Sequence, residues 1–231
     1  MEDIFRRSNR LKIANALLAL GLAATMGAAA AADAPRVKFS TTAGDIVVEV
    51  YPDKAPKTVD NFLKYVNAKH YDGTIFHRVI DNFMIQGGGY DGKYNEKVTR
   101  PPVQHEGREA LAKGGPKNVV GTLAMARTND PNSATSQFFI NVKDNPSLDP
   151  ALIPAGDPVA KFEYRGRVYE NVPRAELMNA AQLYGYTVFG KVVSGMDVVE
   201  KIKITPTGNG GPFQSDVPKT PIVITSATVL K

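Results

Sequence analysis

The stretch Phe76-His77-Arg78-Val79-Ile80-Asp81-Asn82-Phe83-Met84-Ile85-Gln86-Gly87-Gly88-Gly89 decides the reading of this chain. It sets one arginine and one glutamine among large apolar residues and ends in three glycines. Read as extended backbone, Phe76, Arg78 and Ile80 face one way and His77 and Val79 the other. An arginine on an apolar sheet face needs a reason, and a structural ion pair is the plain one. A second stretch has the same makeup. Gly121-Thr122-Leu123-Ala124-Met125-Ala126-Arg127 leads, after a polar link, to Asn132-Ser133-Ala134-Thr135-Ser136-Gln137-Phe138-Phe139-Ile140-Asn141.

Outward from these stretches the chain is rich in short strand-like runs. Residues 37–51 are β-branched around a break at 42–45, with Ile46, Val48 and Val50 alternating, and read as a hairpin. Further runs at 74–80, 83–86, 119–126, 137–142, 187–193 and 222–230 are separated by Gly- or Pro-containing links, the pattern of a closed antiparallel sheet or barrel. Two helices interrupt it. Val59, Phe62, Leu63 and Val66 fall at i, i+3, i+4 and i+7 behind Pro56, and Val198, Val199 and Ile202 share a face within 196–202.

Residues 150–184 break the rhythm with Pro150, Pro154, Pro158 and Pro173. They read as a surface insertion with a short helix behind Pro173. A smaller addition between Gln104 and Lys117, with Gly114-Gly115-Pro116, reads as a turn without a role.

The first residues stand apart. Arg6, Arg7, Arg10 and Lys12 precede an Ala- and Leu-rich run over 13–32 that ends in Ala30, Ala31 and Ala32, the layout of a signal peptide cut after Ala32. An uncleaved anchor is the alternative for a run of this length. The mature chain would then be one domain, 33–231, periplasmic or secreted and held to no membrane. Its formal charge would be +3 in place of the +5 of all 231 residues, because four basic and two acidic residues leave. No dense basic stripe remains, so nucleic acid is not an expected partner. The absence of cysteine excludes disulfides and thiolate chemistry, and three scattered histidines make no metal site.

Taken together, the two stretches resemble the cyclophilin family, whose hallmark is an FHRxIxxFMxQGG strand followed by GTLAMA-like and SQFFI strands. The likeness continues through Leu148-Asp149 and Val188-Phe189-Gly190-Lys191-Val192 and covers nearly all of 36–230. It looks closest to the bacterial exported members. The resemblance implies a mainly β fold, a closed eight-stranded antiparallel barrel capped by two α-helices, with the insertion at about 150–184. It implies a peptidyl-prolyl cis/trans isomerase acting without metal or cofactor, as a monomer, on proline-containing unfolded or exported polypeptides.

Carried over position by position, the resemblance makes Arg78 the catalytic arginine. Phe83, Met84, Phe139 and Leu148 would line a proline pocket, and Gln86, Ala126, Arg127 and Gln137 would hold the peptide backbone. Tyr186 stands where many members have a histidine. Ser147 stands where many have Trp or Phe, which thins one wall and implies weak binding of the drug cyclosporin. A proline-binding chaperone with little turnover is the rival reading. A hydrolase has no Gly-x-Ser-x-Gly elbow to support it.

Overall fold

The computed structural model describes residues 34–230. The basic and apolar leader and its cleavage point after Ala32 lie outside the described residues. Eight strands close into an antiparallel barrel: β1 (Arg36–Thr41), β2 (Gly44–Val50), β3 (Thr74–Ile80), β4 (Met84–Asp91), β5 (Thr122–Met125), β6 (Phe138–Asn141), β9 (Val188–Ser194) and β12 (Val223–Leu230). Their order around the barrel is β1-β12-β3-β4-β6-β5-β9-β2, so no strand edge is left open. Two further hairpins lie outside it, β7 (Val159–Tyr164) with β8 (Arg167–Val172), and β10 (Thr207–Gly210) with β11 (Phe213–Pro218).

Alternation fills the interior. Phe39, Ile46, Val48, Ile85, Leu123, Phe138, Ile140 and Phe189 point inward and form one buried core. Phe138 stacks on Phe39 with ring centres 5.1 Å apart. Two helices plug the barrel, α1 (Pro56–Asn67) through Val59, Phe62, Tyr65 and Val66, and α4 (Met196–Lys203) through Val198, Val199 and Ile202. These are the two helices expected from the apolar spacing.

Two six-residue helices accompany them, α2 (Gly107–Ala112) and α3 (Arg174–Asn179). The addition after Gln104 is therefore a helix and not a bare turn. The 150–184 insertion carries its expected short helix, α3, together with the β7–β8 hairpin, and buries a small core of its own. That core is made by Ala151, Val159, Phe162, Tyr169, Leu177 and Leu183. Among the described residues no helix is long and apolar enough to cross a membrane.

Candidate active site

Arg78 does not share a face with Phe76. Phe76 pairs with Gly87 and Arg78 with Gln86, so β3 carries one more residue than β4 between the two pairs. This bulge at His77 breaks the period of two. Phe76 and Val79 point into the core, while Arg78 emerges on the outer surface, exposed to solvent. The expected alternation across 76–80 is corrected on this point. His77 is buried outside the barrel as well, stacked on Phe213 of β11 at 5.4 Å and edge-on to Tyr90 at 4.8 Å. Burial, with the Arg78 charge adding to it, pushes its imidazole down to about 4.

From Arg78 a single row of outward residues crosses five strands. Arg78 pairs with Gln86, Gln86 with Phe139, Phe139 with Ala124, and Ala124 with Val188. Strands lie roughly 4.8 Å apart, so the backbone of Arg78 stands about 10 Å from that of Phe139. The apolar part of this row, with Met84 from the next row, is the floor of a second hydrophobic cluster: Met84, Ala124, Phe139 and Val188 are buried. Ile80, Phe83, Ala126, Leu148 and Tyr186 stand half-buried around them as a rim. Tyr186 meets Phe139 edge-on at 5.4 Å. The structure thus gathers Phe83, Met84, Ala126, Phe139, Leu148 and Tyr186 into one apolar patch, with Arg78 and Gln86 at its side.

The polar residues divide. Gln86 Nε2 donates to Gln137 Oε1 at 2.9 Å, and the Ala126 amide donates to the Gln137 carbonyl at 3.0 Å. The glycines after Gln86 make this possible. Gly88 holds φ +86, and a Cβ on Gly89 would lie 2.6 Å from the Gln137 side chain. A cavity of about 310 Å³ opens beside Gln86, Ala126, Arg127 and Gln137. Arg127 lines the same cavity, but its donors go to backbone carbonyls and not to the two glutamines. Its Nε and Nη2 donate to the Gly185 carbonyl at 3.0 and 2.9 Å, Nη1 donates to the Thr128 carbonyl at 2.8 Å, and the guanidinium lies over the Tyr186 ring at 4.7 Å. Among the described residues no side-chain hydrogen bond or ion pair occupies the Arg78 guanidinium.

Sequence reasoning missed the residues that hold the rim. Asn145 Nδ2 donates to the Phe83 carbonyl at 2.8 Å and to Asn141 Oδ1 at 2.7 Å. Asn141 Nδ2 in turn reaches Thr122 Oγ1 at 2.9 Å, and the Asn118 amide donates to Asp149 Oδ1 at 2.7 Å. This network fixes the turn bearing Phe83 against the 3₁₀ turn Pro146–Leu148. The available signals were an Asn closing a strand at 141 and the Asn145-Pro146 dipeptide, which marks a turn. Ser147 is exposed beside Leu148.

Comparison with known proteins agrees with this geometry. Residues 36–229 match the family model described as cyclophilin type peptidyl-prolyl cis-trans isomerase/CLD. The chain is 42% identical over 219 residues to peptidyl-prolyl cis-trans isomerase A of Dickeya dadantii, covering 95% of this chain and 97% of that protein. It is 46% identical over 193 residues to peptidyl-prolyl cis-trans isomerase B of Escherichia coli, covering 84% and 98%. In fold it is similar to a cyclophilin-type isomerase structure from Cryptosporidium parvum, with a TM-score of 0.58 at 22% identity over 86% of this chain and 98% of that one. A barrel of this topology, a family match over nearly its whole length and relatives above two-fifths identity lead to one conclusion: the chain belongs to the cyclophilin-type peptidyl-prolyl cis-trans isomerase family.

Proposed function

We propose that this protein accelerates rotation about X-Pro bonds, with Arg78 stabilising the twisted amide while the apolar patch holds the proline ring. An X-Pro bond turns slowly because resonance must be broken, a barrier of roughly 18–20 kcal/mol, and uncatalysed exchange takes tens of seconds or more. As the bond twists, the prolyl nitrogen loses conjugation and gains a lone pair. A guanidinium can donate a hydrogen bond to that lone pair, which the planar ground state does not offer. Arg supplies the donor without losing its proton. Stabilisation confined to the twisted form lowers the barrier.

Phe83, Met84, Phe139 and Leu148 grip the ring so that one side of the bond stays fixed, while Gln86, Gln137 and the Ala126 backbone hold the flanking peptide. No bond is made or broken, so the reaction asks for neither nucleophile nor cofactor. The observation that carries this reading is the cross-strand row that sets the solvent-facing Arg78 beside Gln86 and the apolar patch.

We also assign the protein to the exported members of the family, acting on proline-containing exported polypeptides. The support is the basic and apolar leader ending in three alanines.

The test is a protease-coupled proline-peptide assay on protein recovered from outside the cytoplasm, whose first residue is expected to be Asp33. Arg78→Ala should lower turnover at least tenfold, about 1.4 kcal/mol on the barrier, with an unchanged circular dichroism spectrum. Near-normal turnover would remove the role of Arg78. An N-terminus at Met1 would remove the cleaved leader. If wild type suppresses aggregation of an unfolded client but isomerises no peptide, the protein is a holding chaperone.

A further inference from the structure

A cavity of about 830 Å³ opens where the insertion meets the apolar patch. Leu148 and Tyr186 belong to both, so the cavity continues the groove that receives the proline. Ser147, Gln182 and the two arginines Arg127 and Arg165 complete the part that matters here. The volume lies in the range of specific ligand sites.

The charge of this cavity is one-sided. Arg127 and Arg165 line it and no carboxylate does. Arg127 is fixed by two neutral carbonyls and an aromatic face, so its charge is oriented but not neutralised. Among the described residues neither arginine has a carboxylate within ion-pair distance.

Arg165 carries a second signal. It forms with Gly166 the two-residue turn between β7 and β8, with φ of 53° and 74°. Both central residues thus lie at positive φ, as in a type I′ turn, where Asn-Gly is the favoured pair and an arginine is strained. The chain holds a less suitable residue at the tip of the hairpin. Its guanidinium lies over the Tyr164 ring at 4.7 Å, and the hairpin presents it to the cavity.

Resting on the isomerase reading above, we propose that the insertion builds a specificity site beside the proline pocket. Arg165, with Arg127, selects peptides bearing a glutamate or aspartate a few residues from the proline, on the flank bounded by Leu148 and Tyr186. Only Arg127 of the pair lies outside the insertion, so the acidic preference is a property the 150–184 segment adds to the barrel.

The experiment uses the full mature chain and fluorescent proline peptides with Glu, or in parallel Gln, at each of three positions on either side of the proline. Both kcat/KM and the Kd from fluorescence anisotropy are read at low salt. The expected result is a Glu-over-Gln ratio of at least fivefold at one or two adjacent positions. In Arg165→Asn, which suits the turn better, the ratio should fall below twofold with no drop in melting temperature. In Arg165→Glu the preference should invert.

A wild-type ratio near one at every position would overturn the proposal, as would an Arg165→Asn variant that keeps the fivefold ratio. If wild type isomerises none of the peptides, the isomerase reading fails. The same ratio read in Kd still decides the specificity site.

Discussion

His77 is buried with Nδ1 unpartnered among the described residues, and its imidazole is held near 4. An unfolded histidine titrates near 6.5, so between these values the unfolded chain binds the proton and the folded chain does not. The sign follows. Stability is complete above about pH 6.5 and falls as pH drops toward 4, by on the order of 3 kcal/mol from this residue. His105, also pushed down to about 4 by burial and by the nearby Arg127, adds in the same direction. Replacing His77 by Phe keeps a ring against Phe213 and Tyr90 and removes the titration. Urea unfolding of His77→Phe from pH 7 to pH 4.5 should therefore show a distinctly shallower loss than wild type, and parallel curves would refute the assignment. The same position explains a failure of reading. The composition of 76–86 revealed a strand with one odd arginine, but the bulge that separates Phe76 from Arg78 depends on pairing with β4, which no local pattern records.

The elements that escaped the sequence are those whose partners are polar or distant. Strand β3 was legible because five of its seven residues are β-branched or aromatic and it is bounded by Gly73 and the turn at 81–83. In β7 the buried residues are Val159 and Phe162, three apart among Lys161, Glu163 and other exposed positions, so no alternation of two survives. The β10–β11 hairpin lies in a Gly- and Pro-rich stretch that reads as loop. Helix α2 has only six residues, too few for a period.

Yet α2 ties two parts together. Just before it, buried Glu106 accepts from the Thr58 amide at 2.8 Å and the Lys57 amide at 3.1 Å, capping the positive end of α1. Arg108 donates to the Met178 carbonyl at 2.9 Å and the Leu177 carbonyl at 3.4 Å, at the negative end of α3, and lies over the Tyr184 ring at 4.4 Å. The two departures from the shorter family pattern thus form one unit. Arg108→Ala should cost the insertion about 1–2 kcal/mol of local stability, because charge-assisted bonds to one buried and one part-buried carbonyl are lost. Hydrogen exchange should quicken roughly tenfold over 159–183 while β4, β5 and β6 keep their protection. Uniform loss across both regions would show that the insertion is not separately anchored.

At the scale of the molecule, apolar surface is divided among three clusters: the barrel interior, the outward patch beside Arg78 and the core of the insertion. The barrel interior was legible in the alternating apolar residues of its strands, such as Ile46, Val48 and Val50. The outward patch came instead from the family resemblance at Phe83, Met84, Phe139 and Leu148, because Gln86 and Asn141 interrupt the apolar pattern of that face. The third was not legible, since its six buried residues are scattered over 33 positions and meet only in three dimensions. Its independence has a consequence. The Ala151 amide donates to the Leu183 carbonyl at 2.9 Å and the Tyr186 amide to the Leu148 carbonyl at 2.9 Å, so the insertion leaves and re-enters the barrel at neighbouring points. Loop closure between such points asks little of a short link. A chain with 152–182 replaced by two glycines should fold, because none of the removed residues belongs to the barrel core. It would keep Arg78, Gln86, Phe139, Leu148 and Tyr186 and lose Arg165. Its melting temperature is expected within a few degrees of wild type, with turnover of a neutral proline peptide retained and the glutamate preference gone. If the truncated chain instead unfolds, the insertion supports the barrel itself. If it folds and still prefers glutamate, Arg127 alone sets the charge selectivity of the groove.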